Sequence, residues 1–337
     1  MSRSPGNARR LGALALASCL VMLGSWAVTS LAAKSLGPYR SLGKCRLFPK
    51  PKVTAGSPSV GSQAAWRQKI AKSPVNTASL SIIAYINSQG GDFLHPDFGS
   101  PREYGFPYRV VGRRAKPVPV NWTAYGDEST HGKYRVPGGS PVEGGAGSDG
   151  DRHVLVVDRA RCKLYELYRA FFRTQPRRRW DADSGVIWNL RSRKLRRDGY
   201  TSADAAGLPI FPGLVRLDEV RRGAIRHAIR VTFSSTRDAW IHPASHCAGD
   251  TSNPNAPPMG MRLRLRRDYD LSRFRGAARV IAVALKRYGF IVADNGSNWF
   301  FSGTSDHRWN DENLNKLKSI PGSAFQVVRS AAPVHSC

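Results

Sequence analysis

Residues 144–168 read GGAGSDGDRHVLVVDRARCKLYELY, and this pattern decides the fold class. A loop of glycine and aspartate leads into an apolar block, 154–157. A polar turn at 158–161 follows, and then a second run, 162–168. Two strand-like runs joined by a short polar link are the outline of a β-hairpin. Val154, Val156 and Val157 are β-branched and suit a pleated surface. In the second run Cys162, Leu164 and Leu167 alternate with Lys163 and Glu166. The first strand therefore reads as central and buried, the second as half-exposed. A loop of this kind at a strand entrance is also where polar side chains can converge on a ligand.

Working outward, short strands and turns dominate. Strand patterns occur at 108–111, 118–122, 186–190, 227–233, 261–265, 290–293, 300–301 and 324–328. The best helix spans 276–288, where Val280, Ile281, Ala284 and Leu285 share a face and Gly289 ends it. Shorter helices are expected at 62–72, 76–87 and 310–317, and a helical turn at 202–206 closed by Gly207. The 32 glycines and 22 prolines supply the turns such a chain needs. The sum predicts a mainly β fold, a large antiparallel sandwich or distorted barrel with a few peripheral helices. It forms a single domain over 62–330, ahead of a short tail at 331–337. Residues 34–61, rich in Ser, Gly, Pro and Lys, read as a flexible linker.

The N-terminus sets the compartment. Arg3, Arg9 and Arg10 precede an apolar stretch, 11–28, and small residues follow at 30–33. That is the layout of a signal peptide, and the stretch is also close to the length of a membrane anchor. In either case the remainder is exported, either secreted or held at the outer face of the cytoplasmic membrane, and membrane contact is confined to this segment. Cys19 lies within it, which leaves Cys45, Cys162, Cys247 and Cys337. In an oxidising compartment these make two disulfides in one of three pairings. Proximity of chain ends favours Cys45–Cys337 with Cys162–Cys247. Lysine and arginine number 52 against 24 acidic residues, a formal charge of +28. Such a surface favours anionic partners, here a polysaccharide or cell-wall polyanion. Nucleic acid is disfavoured, because export removes it and no basic cluster carries a nucleic-acid motif. Oligomeric state leaves no signal in the sequence.

Candidate chemistry sits at strand ends and turns. Glu143, Asp149, Asp151 and His153 flank the first hairpin strand. Asp149 and Asp151 could ligate a hard cation, but the EF-hand pattern is missing and an Asx-turn accounts for them equally. Asp204 follows Ser202 at the start of a turn, where a helix dipole alone would favour a carboxylate. His242 and His246 have HxxxH spacing, but Pro243 breaks the helix that a zinc site would need. Asp294, Asn295, Asn298 and Trp299 close a strand at an Asn-Gly turn. GxSxG, Walker and GxGxxG motifs are absent, so no cofactor and no metal is expected. The expected catalytic residues are Asp151, His153, Asp204, His246 and Asp294. Trp188, Asn295 and Trp299 are the expected substrate-binding residues, since indole faces stack on sugar rings.

The blocks GDRHVLVVDRARCKLYELY (150–168), TSADAAGLPIFPGLVR (201–216), PPMGMRLRL (257–265) and ADNGSNWFFSG (293–303), with LHPDFGS (94–100) and YGFPY (104–108), are similar to those of a family of exported bacterial proteins described only as hypothetical. The resemblance covers about 92–328. It implies one folded unit and carries no activity and no catalytic residue. Two functions follow as expectations: a carbohydrate-active enzyme using paired carboxylates on an extracellular or cell-wall polysaccharide, or a non-catalytic envelope protein that binds glycan or polyanion through its basic face.

Overall fold

The structure, a computed structural model, describes residues 62–101, 103–249 and 251–335 together with Leu42, Cys45, Leu47 and Phe48. The expected signal or anchor at 1–33 lies outside the described residues, as does most of 34–61. Among the described residues, no helix is long and apolar enough to cross a membrane.

Thirteen strands follow in chain order: β1 (His95–Asp97), β2 (Tyr108–Val111), β3 (Val120–Trp122), β4 (Val154–Asp158), β5 (Lys163–Tyr168), β6 (Phe171–Arg173) and β7 (Arg179–Ala182), then β8 (Ser184–Asn189), β9 (Ile229–Phe233), β10 (Arg262–Leu265), β11 (Phe290–Asn295), β12 (Phe300–Ser302) and β13 (Phe325–Val327). The α-helices are α1 (Ser79–Ser88), α2 (Leu217–Arg221), α3 (Gly276–Arg287) and α4 (Asp311–Asn315). The stretch expected as a helix at 62–72 forms only a 3-10 turn, Gln63–Arg67, which ends as the chain becomes extended at Gln68.

The strands make three sheets with no closed barrel: β1-β12-β9-β11-β10-β13, β2-β4-β5-β8 and β3-β7-β6. The fold is mainly β and sandwich-like. Its sheets are mixed, because β2 pairs with β4, β3 with β7, and β9 with β11 in parallel. Parallel neighbours require long crossovers, and the segments between these strands supply them.

The opening hairpin is β4 and β5, in register from Val154↔Leu167 to Asp158↔Lys163. Asp158 closes its turn by accepting the N–H groups of Ala160 and Arg161 at 3.0 and 3.1 Å. Both faces of this hairpin are covered. Leu155, Val157 and Leu164 belong to the larger core, shared with the six-stranded sheet. Val154, Val156, Tyr165 and Leu167 belong to a smaller core, shared with Trp180 and Ala182 of β7. The four-stranded sheet is thus a middle layer. β5 is buried rather than half-exposed: its central residues, including Glu166, are covered. Alternating polarity, which ordinarily marks a solvated face, here marks a buried carboxylate.

Cys45 is disulfide-bonded to Cys162, across a Cα–Cα distance of 5.3 Å. This corrects the expected Cys45–Cys337 and Cys162–Cys247 pairings. The closeness of chain ends does not govern here: Cys45 and Phe48 are buried in the main core beside the hairpin turn. Phe48 donates its N–H to the Leu190 carbonyl at 3.0 Å. Cys247 is also disulfide-bonded, and Cys337 lies outside the described residues.

Candidate functional site

A cavity of about 350 Å³ opens where the hairpin entrance, the 201–205 loop, the 246–248 loop and the end of β11 meet. All five residues expected to be catalytic line it: Asp151, His153, Asp204, His246 and Asp294.

Asp294 reaches the cavity through a bulge. β9 and β11 run in parallel register to Val292↔Val231, and the register then shifts so that Asp294 opposes Thr232. A bulge of this kind turns a side chain away from its regular direction. Asp204 is delivered by a turn rather than the expected helical turn. Ser202 Oγ accepts the Asp204 N–H at 2.9 Å and donates to the Leu208 carbonyl at 2.6 Å. Gly207 has φ +67°, and a Cβ there would lie 2.2 Å from Ser245 Oγ. The turn therefore packs directly on the segment that carries His246, and Ser245 donates its N–H to the Ala206 carbonyl at 3.0 Å.

Arg230 of β9 joins the two carboxyls. One of its guanidinium nitrogens lies 2.5 Å from Asp204 Oδ1 and 3.2 Å from Asp294 Oδ2. The other donates to Ser302 Oγ at 2.9 Å. The Asp204 side chain is fully buried, and its Oδ2 has no hydrogen-bond partner. Burial pushes the Asp204 pKa well above the usual carboxylate range. The Arg230 guanidinium opposes that rise and Asp294 adds to it. These influences together favour the protonated form of Asp204, with the Asp294 carboxyl beside it as an acceptor.

His153 is held differently. Its Nε2 donates to the Ala203 carbonyl at 2.8 Å, and its Nδ1 lies 2.5 Å from Glu143 Oε2. Burial alone would lower its pKa, but the Glu143 carboxylate overrides burial and raises it to about 9. Both ring nitrogens face acceptors, so His153 is an imidazolium that positions the 203–204 turn and is not a general base. His246 is anchored through its Nδ1, which donates to the Ala205 carbonyl at 2.9 Å and so fixes the orientation of the ring. The Asp151 carboxylate forms no hydrogen bond or ion pair among the described residues and is exposed at the cavity wall.

Asn295 lines the cavity, but its amide is engaged. It accepts from Thr236 Oγ1 at 2.6 Å and donates to the Ala248 carbonyl at 2.5 Å, pinning the neighbouring loop. Trp188 and Trp299 do not reach the cavity, which corrects their expected role as sugar platforms. Both are core residues, 5 % and 0 % exposed. Trp188 Nε1 donates to Glu166 Oε2 at 2.7 Å, and Trp299 Nε1 to Asn87 Oδ1 at 2.9 Å. The aromatic residues at the cavity are Tyr125, 48 % exposed, and Tyr168. His242 lies apart, 3.8 Å from Asp198, so the HxxxH pair is split between two surroundings. Among the described residues, no three His, Cys, Asp or Glu side chains are grouped to hold a metal.

The sequence reading missed Arg230, Tyr125 and Tyr168. Arg230 alternates with Ile229 and Val231, a pattern that reads as a solvated position. The signal available was an arginine set between two β-branched apolar residues, Ile229 and Val231. No family model matches the chain, and neither a curated protein nor a solved structure is significantly similar to it.

Proposed function

We propose that the chain is an exported carbohydrate-active enzyme that hydrolyses a glycosidic bond in an extracellular or cell-wall polysaccharide. The observation that carries this reading is the Asp204–Asp294 pair. One carboxyl is buried with its pKa raised, and its neighbour is held against the same guanidinium nitrogen at the wall of a cavity. Carboxyls whose surroundings differ in this way are how glycosidases assign acid and base.

In the proposed reaction Asp294 attacks the anomeric carbon while Asp204 gives its proton to the departing glycosidic oxygen. Water then displaces Asp294 from the anomeric carbon, and Asp204, now a carboxylate, takes the proton that the water loses. His246 Nε2 and the Tyr168 hydroxyl are placed to bond substrate hydroxyls, and Tyr125 offers a ring face to a sugar.

Release of reducing ends from a panel of polysaccharides tests the reading. Asp204→Asn and Asp294→Asn should each lower the rate by about 10²–10⁴-fold without loss of folding. Absence of turnover on every polysaccharide would sink it.

A second cavity, of about 780 Å³, favours the reading of a non-catalytic polyanion binder. Arg67, Arg216, Arg222, Arg226 and His227 line it, and its two acids are already paired: Asp218 with Arg222, and Glu219 with Arg216 and His227. Salt-sensitive retention on cell-wall material, reduced by Arg226→Glu and accompanied by no cleavage, would favour that reading over the first.

A further inference from the structure

The first cavity has the opposite charge to the chain around it. The protein carries 52 lysines and arginines against 24 acidic residues. Yet among the described residues the cavity is lined by Asp151, Asp204 and Asp294 and by no lysine or arginine. The cations nearest to it are engaged from behind. Arg230 is held by Asp204, Asp294 and Ser302, and His153 by Glu143 and the Ala203 carbonyl. What faces the cavity is therefore acceptor-rich: the Asp151 carboxylate and the Asp294 carboxyl. The buried Asp204 Oδ2 stands at the same wall with no hydrogen-bond partner by distance among the described residues.

A ligand seated here must supply donors and must not bring negative charge. Uronate, sulfate and phosphate groups would meet Asp151 and Asp294 with no cation free to offset them. A protonated amine satisfies both conditions, because an ammonium offers three donors and one positive charge. Tyr125, 48 % exposed at the same cavity, is an aromatic surface of the kind a sugar ring covers.

We propose that the cavity binds an amino sugar, its free ammonium seated on Asp151 and Asp294, so that the polymer cleaved contains hexosamine units without an N-acyl group. This rests on the glycan-cleaving reading above. It makes the basic exterior and the acidic cavity separate devices, one for reaching an envelope rich in anions and one for choosing the sugar that reacts.

Titration calorimetry tests the proposal on the full chain and on Asp204→Asn, which disables the proposed turnover. The probes are a glucosamine hexamer, the same hexamer fully N-acetylated, a galacturonate hexamer and hexalysine. High salt suppresses contacts of the exposed surface more than those of a partly enclosed site. The glucosamine hexamer should bind about ten- to a hundredfold more tightly than its acetylated form, as expected of a charge-assisted hydrogen bond. Asp151→Asn, at an exposed position with no partner to lose, should remove roughly tenfold of that preference and leave the acetylated hexamer unaffected. Equal binding of the acetylated or galacturonate hexamer, or no effect of Asp151→Asn, overturns the proposal. Equal binding of hexalysine overturns the sugar and leaves only a cation site. Selective binding without release of reducing ends keeps the amine and discards cleavage. Cleavage without amine preference does the opposite.

Discussion

His153 and Asp204, two buried groups at one cavity, both have raised pKa values, from different causes and with opposite effect on charge. His153 is charged because Glu143 faces it, and its pKa of about 9 lies above its ordinary value of 6.5. A raised folded-state value means that the pair contributes its full stability below 6.5 and loses it as pH rises through about 9. The contribution is on the order of 3 kcal/mol for a shift of this size. Thermal unfolding of the wild type should therefore weaken between about pH 7 and pH 10, and His153→Gln should flatten that dependence while being less stable at neutral pH. Asp204 also has a raised value, but the consequence falls on rate. It acts as an acid only while protonated, so turnover should decline on the alkaline side as Asp204 loses its proton. Asp204→Asn should retain only weak activity with no such limb, read from the pH dependence of kcat/KM. At this scale the sequence was informative about titratable groups and misleading about indoles. Aspartates at strand ends converge because strand ends of neighbouring elements converge. Whether Trp188 or Trp299 faces a ligand or the core depends on which face another sheet covers, and a single strand's residues do not encode that.

At the scale of elements, the turn that carries Asp204 is the least replaceable piece. Gly207 adopts φ +67° where Tyr200 O and Ser245 Oγ leave no room for a methyl group. Gly207→Ala combines backbone strain with a contact against backbone, and should destabilise by about 1–3 kcal/mol in urea unfolding. The same change should lower activity more than it lowers stability, because the turn would move Asp204 relative to Arg230. Strand periodicity located β4, β5, β8, β9, β10 and β11 well, since alternation and β-branching follow from local sterics. It failed on exposure in β5, where Glu166 accepts the N–H groups of Ile210 at 3.0 Å and Phe211 at 2.9 Å as well as that of Trp188. Burial pushes the Glu166 pKa up to about 7, against the lowering effect of those three donors. A glutamate opposite apolar neighbours reads as a solvated edge, and only the 210–211 segment, remote in sequence, makes it an interior acceptor.

At the scale of the whole molecule, the Cys45–Cys162 bridge ties residues separated by 117 positions. Closing a loop of that length removes disorder from the unfolded chain, so Cys45→Ser with Cys162→Ser should lower stability by roughly 4–5 kcal/mol in denaturant unfolding. A loss below about 1 kcal/mol would show that the Phe48 contacts, rather than the bridge, hold this segment. The mainly β class followed from turn composition and strand length. Sheet order and cysteine pairing did not, because both are set by contacts between segments far apart in the chain, and neither leaves a local trace.

The bulge in β11 has a further consequence. Asp294 and Arg230 sit on β11 and β9, the two central strands of the six-stranded sheet, whereas Tyr125, Asp151 and His246 come from loops. Of the two carboxyls proposed to react, Asp294 thus belongs to the sheet and Asp204 to a turn, while Tyr125 and Asp151, proposed to choose the ligand, belong to segments that exchange more readily. In the proposed enzyme a change of these loops can alter which sugar is selected while Asp294 and Arg230 stay where the sheet holds them.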